Sequence, residues 1–158
     1  MSTVTSPDGT VIDYDRYGDG PAVIFIGGAA TYRAIDEATT QTAKRLAAEG
    51  FTAVDHDRRG RGRSGDTQPW ALDCEVEDVA ELITAVGGAA ALCSNSSGAG
   101  IALAAAGAGV GVTAVALYEP PFFAGHSFTE HLTGRGGRSD GVCALVGRDG
   151  RGCPDPGL

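Results

Sequence analysis

The residues best suited to chemistry are Ser94-Asn95-Ser96-Ser97-Gly98. They lie between an apolar run, Ala89–Cys93, and a run of small residues, Ala99–Ala106. A buried strand that turns sharply into a helix holds its central residue in a strained, exposed conformation. The residues two positions to either side must then be small to clear the adjacent backbone, and Ser94 and Gly98 meet that demand. Ser96 would present its hydroxyl at the top of a sheet as a nucleophile. The N–H of Ser97, at the helix start, would hold an oxyanion as it forms. The same five residues also read as a plain Ser/Gly helix cap without chemistry, and the pentapeptide alone leaves both readings open.

A serine hydroxyl without an adjacent base is a weak nucleophile at neutral pH. The imidazoles are His56, His126 and His131. His56 precedes the pentapeptide in an Arg-rich loop and is expected on the surface. His126 and His131 follow the last strong strand signal and are weak candidates, as is Glu119, which sits just after that strand, where open parallel sheets bind ligands. Asp140 and Asp149 lie in Gly-rich sequence and read as solvated. Arg58, Arg59, Arg61 and Arg63 could suggest phosphate binding, but the interleaved Asp55, Asp57 and Asp66 favour a structural turn held by local ion pairs. Gly107, Gly109 and Gly111 follow a helix rather than a strand, so a dinucleotide loop is not supported. No metal, nucleotide or flavin motif is present, and no cofactor is expected. Cys74, Cys93, Cys143 and Cys153 form no CxxC pair and read as reduced thiols in the cytoplasm.

The elements that must position Ser96 follow from periodicity. Thr3–Thr5 and Thr10–Tyr17, around the turn Pro7-Asp8-Gly9, read as an antiparallel hairpin. Pro21–Ile26 is a continuous apolar run, as expected of a strand buried on both faces. Ile35–Glu49 has a helical stripe through Ala38, Thr42 and Leu46, with Asp36 and Glu37 at its start and Gly50 past its end. Phe51–Asp55 is a strand. Cys74–Val86 is a helix with Val76, Val79, Ala80 and Ile83 on one face and its acids on the other. Val112–Tyr118 is a further apolar strand, ended by Pro120-Pro121. The order β-β-β-α-β-α-β-α-β predicts an α/β fold, a mostly parallel sheet with an antiparallel N-terminal hairpin and helices on both faces.

Several features in this order resemble the α/β-hydrolase superfamily. They are Val23–Gly28 with its following helix, then Asp55-His56-Asp57-Arg58-Arg59-Gly60-Arg61-Gly62-Arg63-Ser64-Gly65, a D-x-R-G-x-G-x-S-type loop after the fourth strand, then the pentapeptide, then Tyr118-Glu119-Pro120-Pro121. The resemblance covers residues 3–123, about the N-terminal half of a full-length member. It implies Ser96 as nucleophile and Ser97 as one oxyanion donor, with Gly28 or Ala29 in the loop after the third strand as the second. The first small residue of the turn is usually Gly in the family, where this chain has Ser94. The family's acid and His come later in the chain, after its seventh and eighth strands. On this reading the acid and His are missing, and the fold is cut short near its sixth strand.

Of the 158 residues, 42% are hydrophobic and 20% charged, an ordinary globular composition. The net charge of −8 provides no basic field for phosphates, so no nucleic-acid partner is expected. No apolar stretch approaches the roughly 20 residues of a membrane span, and Met1–Val4 carries no signal-peptide pattern. Residues 1–123 hold 16 acids and 8 bases, whereas 124–158 hold 4 of each and 9 of the 25 glycines. Two units are therefore expected: a truncated core over 1–123, and a Gly/Arg-rich tail over 124–158 that reads as coil or non-native continuation, with short signals at Phe128–Leu132 and Val142–Val146. The strand 112–118 would form a long apolar edge open to self-association. The function expected is hydrolysis of an ester- or amide-type bond of a small molecule through Ser96, weak or absent in the chain alone. The other reading is a non-catalytic interaction module that keeps the half-sheet.

Overall fold

The computed structural model of the chain describes residues 2–121 and 146–147. The tail expected over 124–158, apart from 146–147, lies outside the described residues. The hairpin is β1 (Ser2–Thr5) and β2 (Val11–Tyr17), paired antiparallel with Thr5 opposite Val11. It is followed by β3 (Ala22–Ile26), α1 (Glu37–Ala48), β4 (Thr52–His56), α2 (Leu72–Ala85), β5 (Ala90–Asn95), α3 (Gly98–Ala108), β6 (Val112–Tyr118) and the two-residue β7 (Val146–Gly147).

The strands form one sheet in the order β1-β2-β4-β3-β5-β6-β7. β4, β3, β5 and β6 run parallel, and β2 is antiparallel to both of its neighbours. This is the predicted mostly parallel α/β sheet. One sheet face carries Ile12, Ile24, Ile26, Val54, Leu92, Val115 and Leu117, sealed by Val79, Leu82 and Ile83 of α2 and by Ala99, Ile101, Ala102 and Ala105 of α3. Each buried Ile or Leu contributes about 1.5–3 kcal/mol relative to exposure. The small residues of α3 let its backbone lie close to β5, so the junction between them is rigid. On the opposite face Ala43 of α1 packs against Phe25 and Ala53.

α1 starts where the sequence placed its acids. Asp36 caps it, accepting from the Thr39 N–H at 3.1 Å. α2 breaks the expected sorting of its faces, because Asp78 is buried among the apolar residues. β4 runs one residue further than Phe51–Asp55 suggested, and so takes His56 into the sheet opposite Tyr14. The edge expected at β6 is not bare along its length. β7 pairs with it antiparallel at Ala114 and Val115.

Candidate active site

β5 ends at Asn95 and α3 begins at Gly98, so the chain reverses within Ser96 and Ser97. Ser96 has φ 48°, a left-handed conformation that a residue with a Cβ adopts at a cost of about 1–3 kcal/mol. Two backbone bonds hold it there: its N–H donates to the Tyr118 carbonyl at 3.0 Å, and its carbonyl accepts from the Ala99 N–H at 3.0 Å. The side chain is exposed. Gly98 sits so close to the end of β3 that a Cβ would fall on the Ile26 carbonyl oxygen. Ser94 fits the crowded point before the turn: it is buried, and its hydroxyl turns to the Ala116 carbonyl at 3.5 Å. Ser97 (φ −63°, ψ −21°) is the α3 cap residue. Its N–H has no acceptor among the described residues.

The loop after β3 passes directly over this turn. A methyl at Gly28 would stand 3.3 Å from Ser96 Cβ. The Gly28 carbonyl accepts from Arg58 Nη1 at 3.3 Å, Arg61 Nη1 at 3.0 Å and Thr31 Oγ1 at 3.3 Å. The Gly28–Ala29 peptide is trans, so fixing that carbonyl fixes the Ala29 N–H in the opposite direction. Arg58 does more than hold the loop. Its Nη1 also donates to the Gly27 carbonyl at 3.1 Å and lies 3.4 Å from Ser97 Oγ, while Nε and Nη2 each meet Glu75 at 2.6 Å. One guanidinium thus ties the β3 loop and the Ser96 turn to α2, in the paired geometry that makes Arg–carboxylate bonds strong.

The Arg-rich loop is structural, as expected, but its ion pairs are not the local ones read from sequence. Arg59 is buried against Asp78, with two bonds of 2.8 Å, and reaches Asp8 at 2.8 Å. Arg63 approaches Asp13 at 3.5 Å. Asp57 serves backbone instead: it accepts the N–H of Arg33 at 2.8 Å and of Arg63 at 2.9 Å, and Arg33 Nη2 at 3.0 Å. Burial acts to raise the Asp57 carboxyl, yet these bonds hold it below the usual carboxylate range. Gly62 (φ 53°) turns around that carboxylate, leaving no room for a Cβ. Ser64 donates to the Asp57 carbonyl at 2.5 Å and accepts from the Asp13 N–H at 2.9 Å. Asp66 takes the Trp70 indole N–H at 2.5 Å, and Asp55 takes the Thr40 hydroxyl at 2.8 Å. Arg33 bonds Asp13 and Asp15 of β2 and Asp57 just after β4; no local pattern in the sequence signals it, because these partners are distant in the chain.

His56 is not on the surface. It is 6% exposed, its Nδ1 has no hydrogen-bond partner, and burial, with the Arg58 charge, pushes its pKa down to about 4. It is neutral at pH 7 and sealed inside the fold. Glu119 is exposed, next to Tyr118, and has φ 46°. His126, His131, Asp140 and Asp149 lie outside the described residues. Among the described residues no group of three His, Cys, Asp or Glu could hold a metal ion, and no helix is long and apolar enough to cross a membrane.

No family model matches the sequence. The chain is 37% identical over 97 residues to a bifunctional esterase/perhydrolase of Acinetobacter calcoaceticus, a match covering 58% of this chain and 33% of that protein. It is 43% identical to an α/β hydrolase from Sphaerobacter thermophilus of known structure, with a TM-score of 0.72, over 84% of this chain and 53% of the other. An esterase from Exiguobacterium antarcticum shares the fold at 24% identity and a TM-score of 0.66, over 75% of this chain and 45% of its own. The chain therefore spans about half the length of these solved relatives and a third of the curated one.

Proposed function

The chain belongs to the α/β-hydrolase superfamily, and on that premise we propose that it carries the nucleophile and oxyanion half of a serine esterase site. The observation that carries this reading is the left-handed, exposed Ser96, tied to Tyr118 and Ala99. The hydroxyl oxygen of Ser96 attacks the ester carbonyl, and the alcohol leaves as the acyl-enzyme forms. The negative oxygen of the tetrahedral intermediate is received by the N–H groups of Ser97 and Ala29, neither of which donates to another protein group among the described residues. Water then releases the acid and restores Ser96.

The proton leaving Ser96 needs an acceptor. His56 is sealed and does not serve. Within this chain His126 and His131 are weak candidates for the base and Glu119 for the acid; if none of them serves, a group outside this chain completes the half-site. Turnover of a small activated ester by wild type, Ser96→Ala, His126→Ala and His131→Ala tests this. A fluorophosphonate that modifies Ser96 in wild type and not in Ser96→Ala supports an activated nucleophile. Equal turnover by wild type and Ser96→Ala removes Ser96 from the mechanism. Activity that survives in the His126→Ala/His131→Ala double variant places the base on another group.

One observation favours a second reading, an interaction module. Among the described residues β6 is paired on its outer side at Ala114 and Val115 only. The rest of the strand, including the exposed Tyr118, is open to a second copy of the chain. Sedimentation of the purified chain across a concentration series separates this from a monomer.

A further inference from the structure

A groove of about 390 Å³ opens beside the Ser96 turn, between the Arg-rich loop, the start of α2 and the first turn of α3. Its charges do not balance. Arg58 is matched by Glu75, and Arg59 by Asp78 and Asp8. Arg61, half-buried in the groove wall, has no carboxylate within ion-pair distance among the described residues. One of its amino groups is used on the Gly28 carbonyl at 3.0 Å. The remaining donors of a planar guanidinium suit one carboxylate, and a second negative charge would meet Glu75. The rest of the wall is apolar: Trp70 and Leu72 are 66% and 51% exposed, and Ile101 lines the α3 side. Small-molecule pockets are typically apolar-walled with a few placed polar groups, and this groove has that make-up.

We infer that this groove binds a monocarboxylate carrying a flat apolar group, with Arg61 on the carboxylate and Trp70 and Leu72 on the apolar part. The inference rests on the proposed esterase reading for its use: because Arg61 is bonded to the Gly28 loop, the bound anion lies beside the Ser96 turn. The substrates it selects are esters whose acid or alcohol part bears a free carboxylate and an aromatic ring. Arg61 is pushed below its ordinary range by burial and by the Arg58 charge, and an anion at this position offsets the Arg58 repulsion.

Binding is measured apart from catalysis. Trp70 is the sole tryptophan, so its fluorescence reads this groove. Phenylacetate is titrated against its neutral analogue phenylacetamide and against inorganic phosphate. Wild type and Ser96→Ala are expected to bind phenylacetate equally and at least tenfold more tightly than phenylacetamide or phosphate. Arg61→Gln loses that preference. Leu72→Glu, an exposed position that leaves the core untouched, removes an apolar contact from both probes and adds a negative charge to the groove, so it weakens phenylacetate about tenfold more than phenylacetamide. Equal binding of acid and amide by wild type overturns the inference, as do tighter binding of phosphate, indifference to Leu72→Glu, or no binding of any probe. A protein that neither turns over esters nor takes up the fluorophosphonate at Ser96, yet still prefers phenylacetate, discards the esterase reading and keeps the groove.

Discussion

Ser96 and Glu119 occupy equivalent places one strand apart. Each follows the C-terminal end of a parallel strand, β5 or β6. They are the two non-glycine residues with positive φ among the described residues, at 48° and 46°. The bond from the Ser96 N–H to the Tyr118 carbonyl couples the two bends. Strain at both is sustained because the strands beneath are hydrogen-bonded from Ala90 to Asn95 against Val112 to Tyr118.

Relief of that strain is measurable. Replacing Ser96 by Gly removes the Cβ that disfavours its conformation and is expected to stabilise the fold by about 1 kcal/mol. Ser96→Ala keeps the Cβ and is expected to leave stability within about 0.5 kcal/mol. Both variants lose ester turnover. Urea denaturation of the three proteins gives the order Gly above wild type and Ala. A Ser96→Gly variant less stable than wild type would show that the turn is not strained in solution.

Arg58 is expected to act as a positioning residue. It touches no reacting atom, but it fixes the Gly27 and Gly28 carbonyls and thereby the Ala29 N–H. A misaimed oxyanion donor costs about 10²–10³ in kcat when lost outright. Arg58→Lys keeps the charge and loses the fork to Glu75, so kcat on a small ester falls by about tenfold or more while KM changes little. A variant with a lowered melting point but unaltered kcat would reduce Arg58 to a purely structural role.

Asp78 and Arg59 form a buried pair, with Ser6 as a further donor to Asp78. Removing one member strands the other charge. Asp78→Ala is expected to cost about 3–5 kcal/mol, whereas Glu77→Ala on the same helix costs under about 0.5 kcal/mol. Similar midpoints for the two variants in denaturant would contradict the buried-pair assignment.

What could be read beforehand divides along physical lines. The strands, the helices and the turn at Ser96 rest on short-range patterns: apolar runs, the stripe of α1, and small residues flanking a serine. Each of these was visible in the residues themselves. The partners of the arginines were not. Arg58 finds Glu75 and Arg59 finds Asp78 only after α2 has packed beside the loop, and nothing in the local charge pattern distinguishes those acids from Asp57 or Asp66. His56 reads as surface loop because an ionisable residue at the end of a strand looks like the start of one. The sheet continued one residue further and desolvated it.

That desolvation has a pH signature, because its neighbour opposes it. Burial lowers the His56 pKa from its ordinary 6.5 to about 4. Between those values the unfolded chain binds a proton that the native state refuses, so stability falls as pH drops from 6.5 to 4. Burial raises the Asp55 carboxyl from 3.8 to about 6, against the Thr40 bond and the Arg33 charge that lower it. There the native state holds the extra proton, so stability falls as pH rises from about 4 to 6. The two windows overlap with opposite sign, and wild type is expected to have a nearly flat urea midpoint from pH 4 to 6. Asp55→Asn removes one side, so its midpoint drops on acidification below 6.5. His56→Gln removes the other, so its midpoint drops as pH rises from 4 to 6. Below pH 4 all three lose stability, because the unfolded chain then takes up protons that native Asp8, held near 2 by the Arg59 bond, and native Asp57, also held below its ordinary range, refuse. Identical midpoint profiles for wild type and both variants between pH 4 and 6.5 would rule out this opposition.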